Sequence, residues 1–275
     1  MTTAPILVTG GTGKTGRRVA ARLRHLGVAT RVASRSSGDV RFDWADEATW
    51  GPALSGVGAV YLVDSQTATA AEEMRAFVAR AQASGVRRLV LLSARVWGEL
   101  GDEAWLATEN AVRESTVEWT VLRPTWFAQN FGEEALLVDA LNQGELRLPT
   151  GEGREPFIDA EDIAEVAVAA LTGDGHAGMT YELSGPRAMT WGEAVAEIAG
   201  ATGRDLRFTA VSDEQYHEEI TGRGWPAEAA AVTGLMFAHI REGHSEALSD
   251  GVQRVLGREP VDFTAYARRL ASADS

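Results

Sequence analysis

Residues 5–16 read PILVTGGTGKTG, an apolar run of strand length that breaks into four glycines within seven residues. Glycine loses more conformational entropy on folding than any other residue, so such a cluster marks a tight turn or a close backbone approach. Two phosphate-binding turns compete for it. A nucleotide-hydrolysing loop requires G-x-x-x-x-G-K-[ST]. Gly13-Lys14-Thr15 supplies its end, and VYLVD at 60–64 looks like its acidic strand, but the first glycine would fall on Val8. A dinucleotide-binding turn requires glycines for the turn itself, for approach to a pyrophosphate and for packing of helix on strand. Gly10, Gly13 and Gly16 give T-G-x-x-G-x-x-G, and Gly11, Gly13 and Gly16 also satisfy G-x-G-x-x-G. Val8 belongs to the strand and cannot make the first turn of a hydrolytic loop, while Asp64 is equally the residue that follows a fourth strand. The dinucleotide reading is therefore preferred. It assigns Gly10, Thr12, Gly13, Lys14, Thr15 and Gly16 to the phosphates, which face amides at a helix amino terminus.

The rest of the first half agrees. Strand-like runs at 5–9, 30–34, 40–42, 59–63, 88–93 and 118–122 alternate with helical patterns at 15–26, 50–54, 70–84 and 103–115. Such alternation predicts an α/β fold, a Rossmann-type doubly wound parallel sheet. Residues 1–155 are read as the dinucleotide domain and 156–275 as a smaller carboxy-terminal α/β part that binds substrate, with about 159–185 packing back on the first sheet. In that part Thr190 and Glu193 have capping-box spacing at a helix start, and an Ala-rich helix is expected over 226–248.

The second strand ends RVASRSSG, with no acid at its tip. A free ribose 2′-hydroxyl wants a carboxylate there, whereas a 2′-phosphate suits a guanidinium. Ser34 and Arg35 therefore predict NADP(H) over NAD(H). Asp43 suits the adenine amino group, with Trp44 beside it, and Asp64 lies next to the nicotinamide.

Composition narrows the remaining classes. A net charge of −13 argues against nucleic acid as a partner. Cysteine is absent, which excludes disulfides and thiolate zinc sites. His239 and His244 are five apart, a spacing that does not stack side chains on one helix face, so no metal is expected. Neither a leader pattern nor an apolar run of membrane-spanning length is seen, and the expected location is the cytoplasm. Monomer and homodimer both stay open. Lys14 is the sole lysine.

The glycine motif, RLVLLSA at 88–94 and above all TVLRPTWFAQNF at 120–131 resemble the NmrA-like atypical short-chain dehydrogenases. Together with PFIDAEDIAEVAVAAL at 156–171, they look most like the branch of the ergot alkaloid agroclavine and festuclavine dehydrogenases. The resemblance implies a Rossmann fold, bound NADP(H) and reduction of small organic molecules. The family also implies an alternative, a dinucleotide-sensing regulator without turnover; an NADP-dependent isomerase or cyclase is a third reading. One departure is informative. Ordinary short-chain dehydrogenases use a Tyr-x-x-x-Lys pair, in which lysine lowers the tyrosine pKa. A chain whose only lysine is Lys14 lacks that pair, and relatives often carry a lysine where this chain has Trp105, four residues before Glu109. Hydride transfer to a quinone, enone or imine fits better than carbonyl reduction. The Ala-, Arg- and Gly-rich composition points to a GC-rich source and so to secondary metabolism.

Ser93 follows the fifth strand and is a candidate contact to nicotinamide or substrate. Trp97, Thr125, Trp126, Phe127 and Phe131 follow the fifth and sixth strands, at the edge where open α/β sheets bind ligands, and are candidates to hold a flat substrate. Tyr216, with His217 and Tyr181, is a candidate proton source. Asp159 and Asp162 are read as helix caps.

Overall fold

Five of the seven strands of the central sheet begin within the first 90 residues, and each is short, two to five residues. The computed structural model describes residues 4–101 and 103–273. Its strands are β1 (Ile6–Val8), β2 (Thr30–Ser34), β3 (Val40–Arg41), β4 (Ala59–Leu62), β5 (Arg88–Leu92), β6 (Glu118–Pro124), β7 (Glu145–Leu148), β8 (Arg154–Glu155), β9 (Met179–Leu183), β10 (Met189–Thr190) and β11 (Arg207–Ala210). The main sheet is parallel, in the order β3-β2-β1-β4-β5-β6-β9. Val8 pairs with Val32 on one side and Tyr61 on the other, so strand order reverses at β1. Ligands of open α/β sheets bind at such a switch point.

The contacts divide the chain into two units. The first comprises 1–124, 160–183 and 251–258; the second comprises 125–159, 184–250 and 259–275. The break thus follows Pro124, where the sequence reading put it after residue 155. The helix Ala160–Thr172 packs on the first sheet, and β9 is its edge strand.

Period-two alternation builds the first unit. Leu7, Val60, Leu62, Leu89, Leu91 and Val121 share one buried face with Met74, Phe77 and Val78 of the helix Ala70–Ala83. The helices Lys14–His25 and Ala160–Thr172 pack against one another, the second also reaching β4, β5 and β6. Buried Val19, Ala20 and Leu23 lie at helical spacing on Lys14–His25. Gly27, at φ +72°, lies just past its end, as a left-handed residue commonly does at a helix terminus.

The second unit has two small sheets, β7 parallel to β11 and β8 antiparallel to β10. An aromatic core ties its helices together: Trp191 is fully buried between Phe131, Phe157 and Phe237, with ring centroids 5.0 to 5.7 Å from it. Thr190 caps the helix Trp191–Thr202 in a complete capping box with Glu193. The expected Ala-rich helix over 226–248 is shorter, Ala227–Arg241, because Gly243 turns the chain at φ +81°. The rings of His239 and His244 consequently lie 5.1 Å apart, since His244 stands beyond the helix end. No helix among the described residues is long and apolar enough to cross a membrane.

Candidate functional site

At the carboxyl edge of the first unit, backbone replaces side chains. Val8 is fully buried in β1, and the turn begins after it: Gly10 takes φ +57° and accepts a hydrogen bond from the Gly13 amide at 2.9 Å. The loop is close-packed on its inner side. A Cβ on Gly11 would stand 2.6 Å from Val32 Cγ1. Gly13 is the cap of the helix Lys14–His25, with no side-chain cap bond and no acid in the first turn. Helix-terminal amides left in that state favour an anion. The cradle therefore fits a dinucleotide diphosphate on geometry alone. Val8 inside the sheet rules out the first turn of a hydrolytic loop. Thr12 is exposed and Thr15 buried.

At the tip of β2, Ser34 Oγ accepts from the Ser37 amide at 2.9 Å and shapes the turn. Arg35 is exposed and makes no ion pair or hydrogen bond with any described residue. Asp43 Oδ1 accepts from the Ala45 amide, and Asp43 O accepts from Trp50 Nε1 at 2.9 Å. Half-buried Trp44 donates to Val63 O and meets Phe42, Trp50 and Phe77 edge-on. Burial raises the Asp64 carboxyl above its ordinary range; a bond from the Gln66 backbone opposes the shift and the Glu73 charge adds to it.

After β5, Ser93 does more than end a strand. Its hydroxyl donates to Glu109 Oε1 at 2.5 Å. Glu109 is 1% exposed and is also gripped by Arg123, Nε to Oε1 at 2.9 Å and a terminal nitrogen to Oε2 at 2.8 Å. Arg113 reaches the same Oε2 at 2.8 Å. Hydrogen bonding to Glu109 raises the Arg123 guanidinium, burial opposing it. Trp97 packs on Trp105 with centroids 4.6 Å apart. The sequence reading used Trp105 and Glu109 only as points of family comparison. The spacing of Trp105 and Glu109, one helical turn apart and just behind Ser93, was the available signal.

Most of the other candidates belong to the second unit. Thr125 is buried and donates to Pro156 O at 2.6 Å. Phe131 is 2% exposed and packs on Phe157, Trp191 and Phe263, so it is part of the core. Trp126 stacks on Phe237 with centroids 5.3 Å apart and stays half-buried, as does Phe127, which bridges to Ile158. Tyr216 sits at the base of an open groove of about 600 Å³ lined also by His217, Ala230, Leu235 and Ala238. Burial pushes its phenol up to about 12, the Thr233 hydroxyl opposing. That direction is the reverse of the one a neighbouring lysine creates. Tyr181, in the first unit, bonds to His176 Nδ1 at 2.9 Å. Asp159, read as a cap, also accepts from Gln129 at 2.7 Å and pairs with Arg269, and Asp162 pairs with Arg258 at 2.7 Å.

With this geometry in place, comparison with known proteins is direct. Residues 10–174 match a family model described as NAD(P)H-binding. An uncharacterized oxidoreductase of Bacillus subtilis (strain 168), YesF, is 36% identical over 98% of this chain and 96% of its own. Agroclavine dehydrogenase of Claviceps purpurea (strain 20.1) is 32% identical over 95% of this chain and 96% of its own. Among solved structures, the Citrobacter sp. triphenylmethane reductase complexed with NADP(H) superposes with a TM-score of 0.74 at 21% identity, over 97% of this chain and 99% of that one.

Proposed function

The chain belongs to the NAD(P)H-binding oxidoreductase family, and on that premise we propose that it is a reductase that prefers NADPH to NADH and reduces a planar cyclic or aromatic small molecule of quinone, enone or imine type. The observation that carries the cofactor preference is Arg35, exposed and unpaired among the described residues, beside Ser34 at a strand tip without an acid. Bound NADPH supplies hydride. The chain's own contribution is to hold and orient. Amides of the loop from Gly10 to Gly16 hold the diphosphate, Asp43 and Trp44 flank the adenine, and Asp64 and Ser93 stand at the nicotinamide end.

No lysine is available to lower a tyrosine pKa, because the only one, Lys14, begins the helix of the glycine loop. The substrate must therefore accept hydride without a strong protein acid. An iminium cation does so directly, ending neutral. A quinone or enone takes up the charge by delocalisation and then a proton from water. Trp97, four residues after Ser93, and Trp105, one helical turn before Glu109, pack on each other and supply flat, apolar faces that favour orientation of a planar ring.

The test is fluorescence titration with NADPH and NADH, then NADPH oxidation against a panel of quinones, enones and cyclic imines. Tight NADPH binding with oxidation by one class supports the reading. Binding without turnover by any member shifts weight to a sensing role, and absence of dinucleotide binding sinks it.

A further inference from the structure

We propose that Glu109 is a positioning residue that fixes the Ser93 hydroxyl as a hydrogen-bond acceptor, so that the group meeting Ser93 must present an N–H. This rests on the reductase reading only for what that group belongs to.

The argument is a count of hydrogens and lone pairs. A carboxylate has about four acceptor positions, and a serine hydroxyl has one hydrogen and two lone pairs. All four positions of Glu109 are filled: Oε1 by Ser93 and Arg123 Nε, Oε2 by Arg123 and Arg113. Both guanidiniums are donors only, so neither can offer Ser93 an alternative. Glu109 is 1% exposed, so bulk water does not compete for it. The single Ser93 hydrogen is spent on a 2.5 Å bond, which leaves only lone pairs for a ligand. A carbonyl or quinone oxygen placed there meets lone pair against lone pair, whereas an N–H completes the chain.

A second feature points the same way. Trp105 precedes Glu109 by four residues on the helix Glu103–Arg113, so the two share a face. Trp105, paired with Trp97, puts electron-rich indoles on the helix face of the carboxylate that holds Ser93, and indole faces attract cations. A planar cation with an N–H satisfies both features.

The N–H has two possible sources, the carboxamide of the cofactor or a protonated ring nitrogen of the substrate, and two arms of one binding experiment separate them. Quenching of intrinsic tryptophan fluorescence is read on wild type, Ser93→Ala, Ser93→Thr and Glu109→Asp, each checked by thermal melting. The first arm compares NADP⁺ with its 3-acetylpyridine analogue, in which a methyl ketone replaces the amide. The second, with NADP⁺ present, compares 3,4-dihydroisoquinolinium with its N-methyl derivative, which has the same ring and charge but no N–H.

In one arm wild type should favour the N–H ligand by about tenfold. Ser93→Thr, which keeps the hydroxyl, should retain the preference. Ser93→Ala should abolish it while the weaker ligand changes by less than about twofold. Glu109→Asp withdraws the carboxylate and should cut the preference although the hydroxyl remains. If Glu109→Asp does not fold, the two Ser93 variants decide. Equal affinities in both arms, a preference that survives Ser93→Ala or a folded Glu109→Asp, or failure of all four probes to bind, each overturns the proposal. Discrimination in binding without NADPH oxidation by any panel compound removes the reductase reading and leaves this inference standing.

Discussion

A Cβ on Gly16 would lie 2.2 Å from the carbonyl oxygen of Gly10, closer than any non-bonded carbon and oxygen can approach. The obstructing atom is backbone and belongs to the turn that faces the phosphates. Gly16→Ala should therefore open the turn, destabilise the protein by about 1–3 kcal/mol and weaken NADPH binding at least about tenfold. Gly200→Ala is the matched control. Gly200 lies exposed inside the helix Trp191–Thr202 with nothing within 4 Å of its Cβ position. That change should stabilise by about 0.5–1 kcal/mol. Denaturant melts and dinucleotide titration of both variants check the pair.

Arg35→Ala should remove a charge-assisted contact to a 2′-phosphate, a contact worth about 1.5–3 kcal/mol. The Kd for NADPH should rise about ten- to hundredfold, and that for NADH should stay within about twofold. Equal loss for both dinucleotides would mean that Arg35 supports the loop rather than reading the phosphate.

Glu109→Ala should be among the most destabilising single changes in the first unit. It leaves Arg113 and Arg123 without their shared buried carboxylate, and breaking such a pair costs about 3–5 kcal/mol. Arg123 keeps 14% and Arg113 29% of its side chain exposed, so water will recover part of that and about 3 kcal/mol is expected. Urea denaturation measures it directly.

Acid should weaken the second unit through Asp262. The Arg187 guanidinium holds that carboxyl far below its ordinary range, burial opposing, with the Thr264 hydroxyl and amide adding to the shift. A folded-state pKa below the unfolded one gives stability that is present above about pH 4 and lost as pH falls toward the folded value. Asp262 also accepts the Thr264 amide at 2.9 Å, at the start of the helix Phe263–Ala273. Asp262→Asn retains an oxygen for that cap but not the charge, so it should flatten the acid limb of a melting-temperature profile. Asp262→Ala should lose about 1 kcal/mol more through the cap. An unchanged acid limb in Asp262→Asn would refute the assignment.

What the sequence made legible was local. The glycine loop, the strand tip at Ser34 and Arg35, and the capping box of Thr190 and Glu193 each depend on residues a few positions apart, and each could be read directly. The helix stop at Gly243 was also local, yet the Ala-rich run around it outweighed one glycine. The Glu109 cluster was legible only in the helical spacing of Trp105 and Glu109, because Ser93 and Arg123 reach it from 16 and 14 residues away. Pattern reading places such residues on elements but does not say which way a hydroxyl hydrogen points. Phe131 shows the same limit: an aromatic after a strand reads alike whether it faces a ligand or three other rings.

The first unit is discontinuous in the chain, and that has a consequence for birth on the ribosome. Residues 251–258 rejoin it after the whole of 184–250, and Arg258 provides the pair for fully buried Asp162. The sheet itself is complete by Leu183, but the unit around it is not until residues 251–258 have been made, so a nascent chain stalled before residue 251 exposes a helix and an edge strand that this later segment covers.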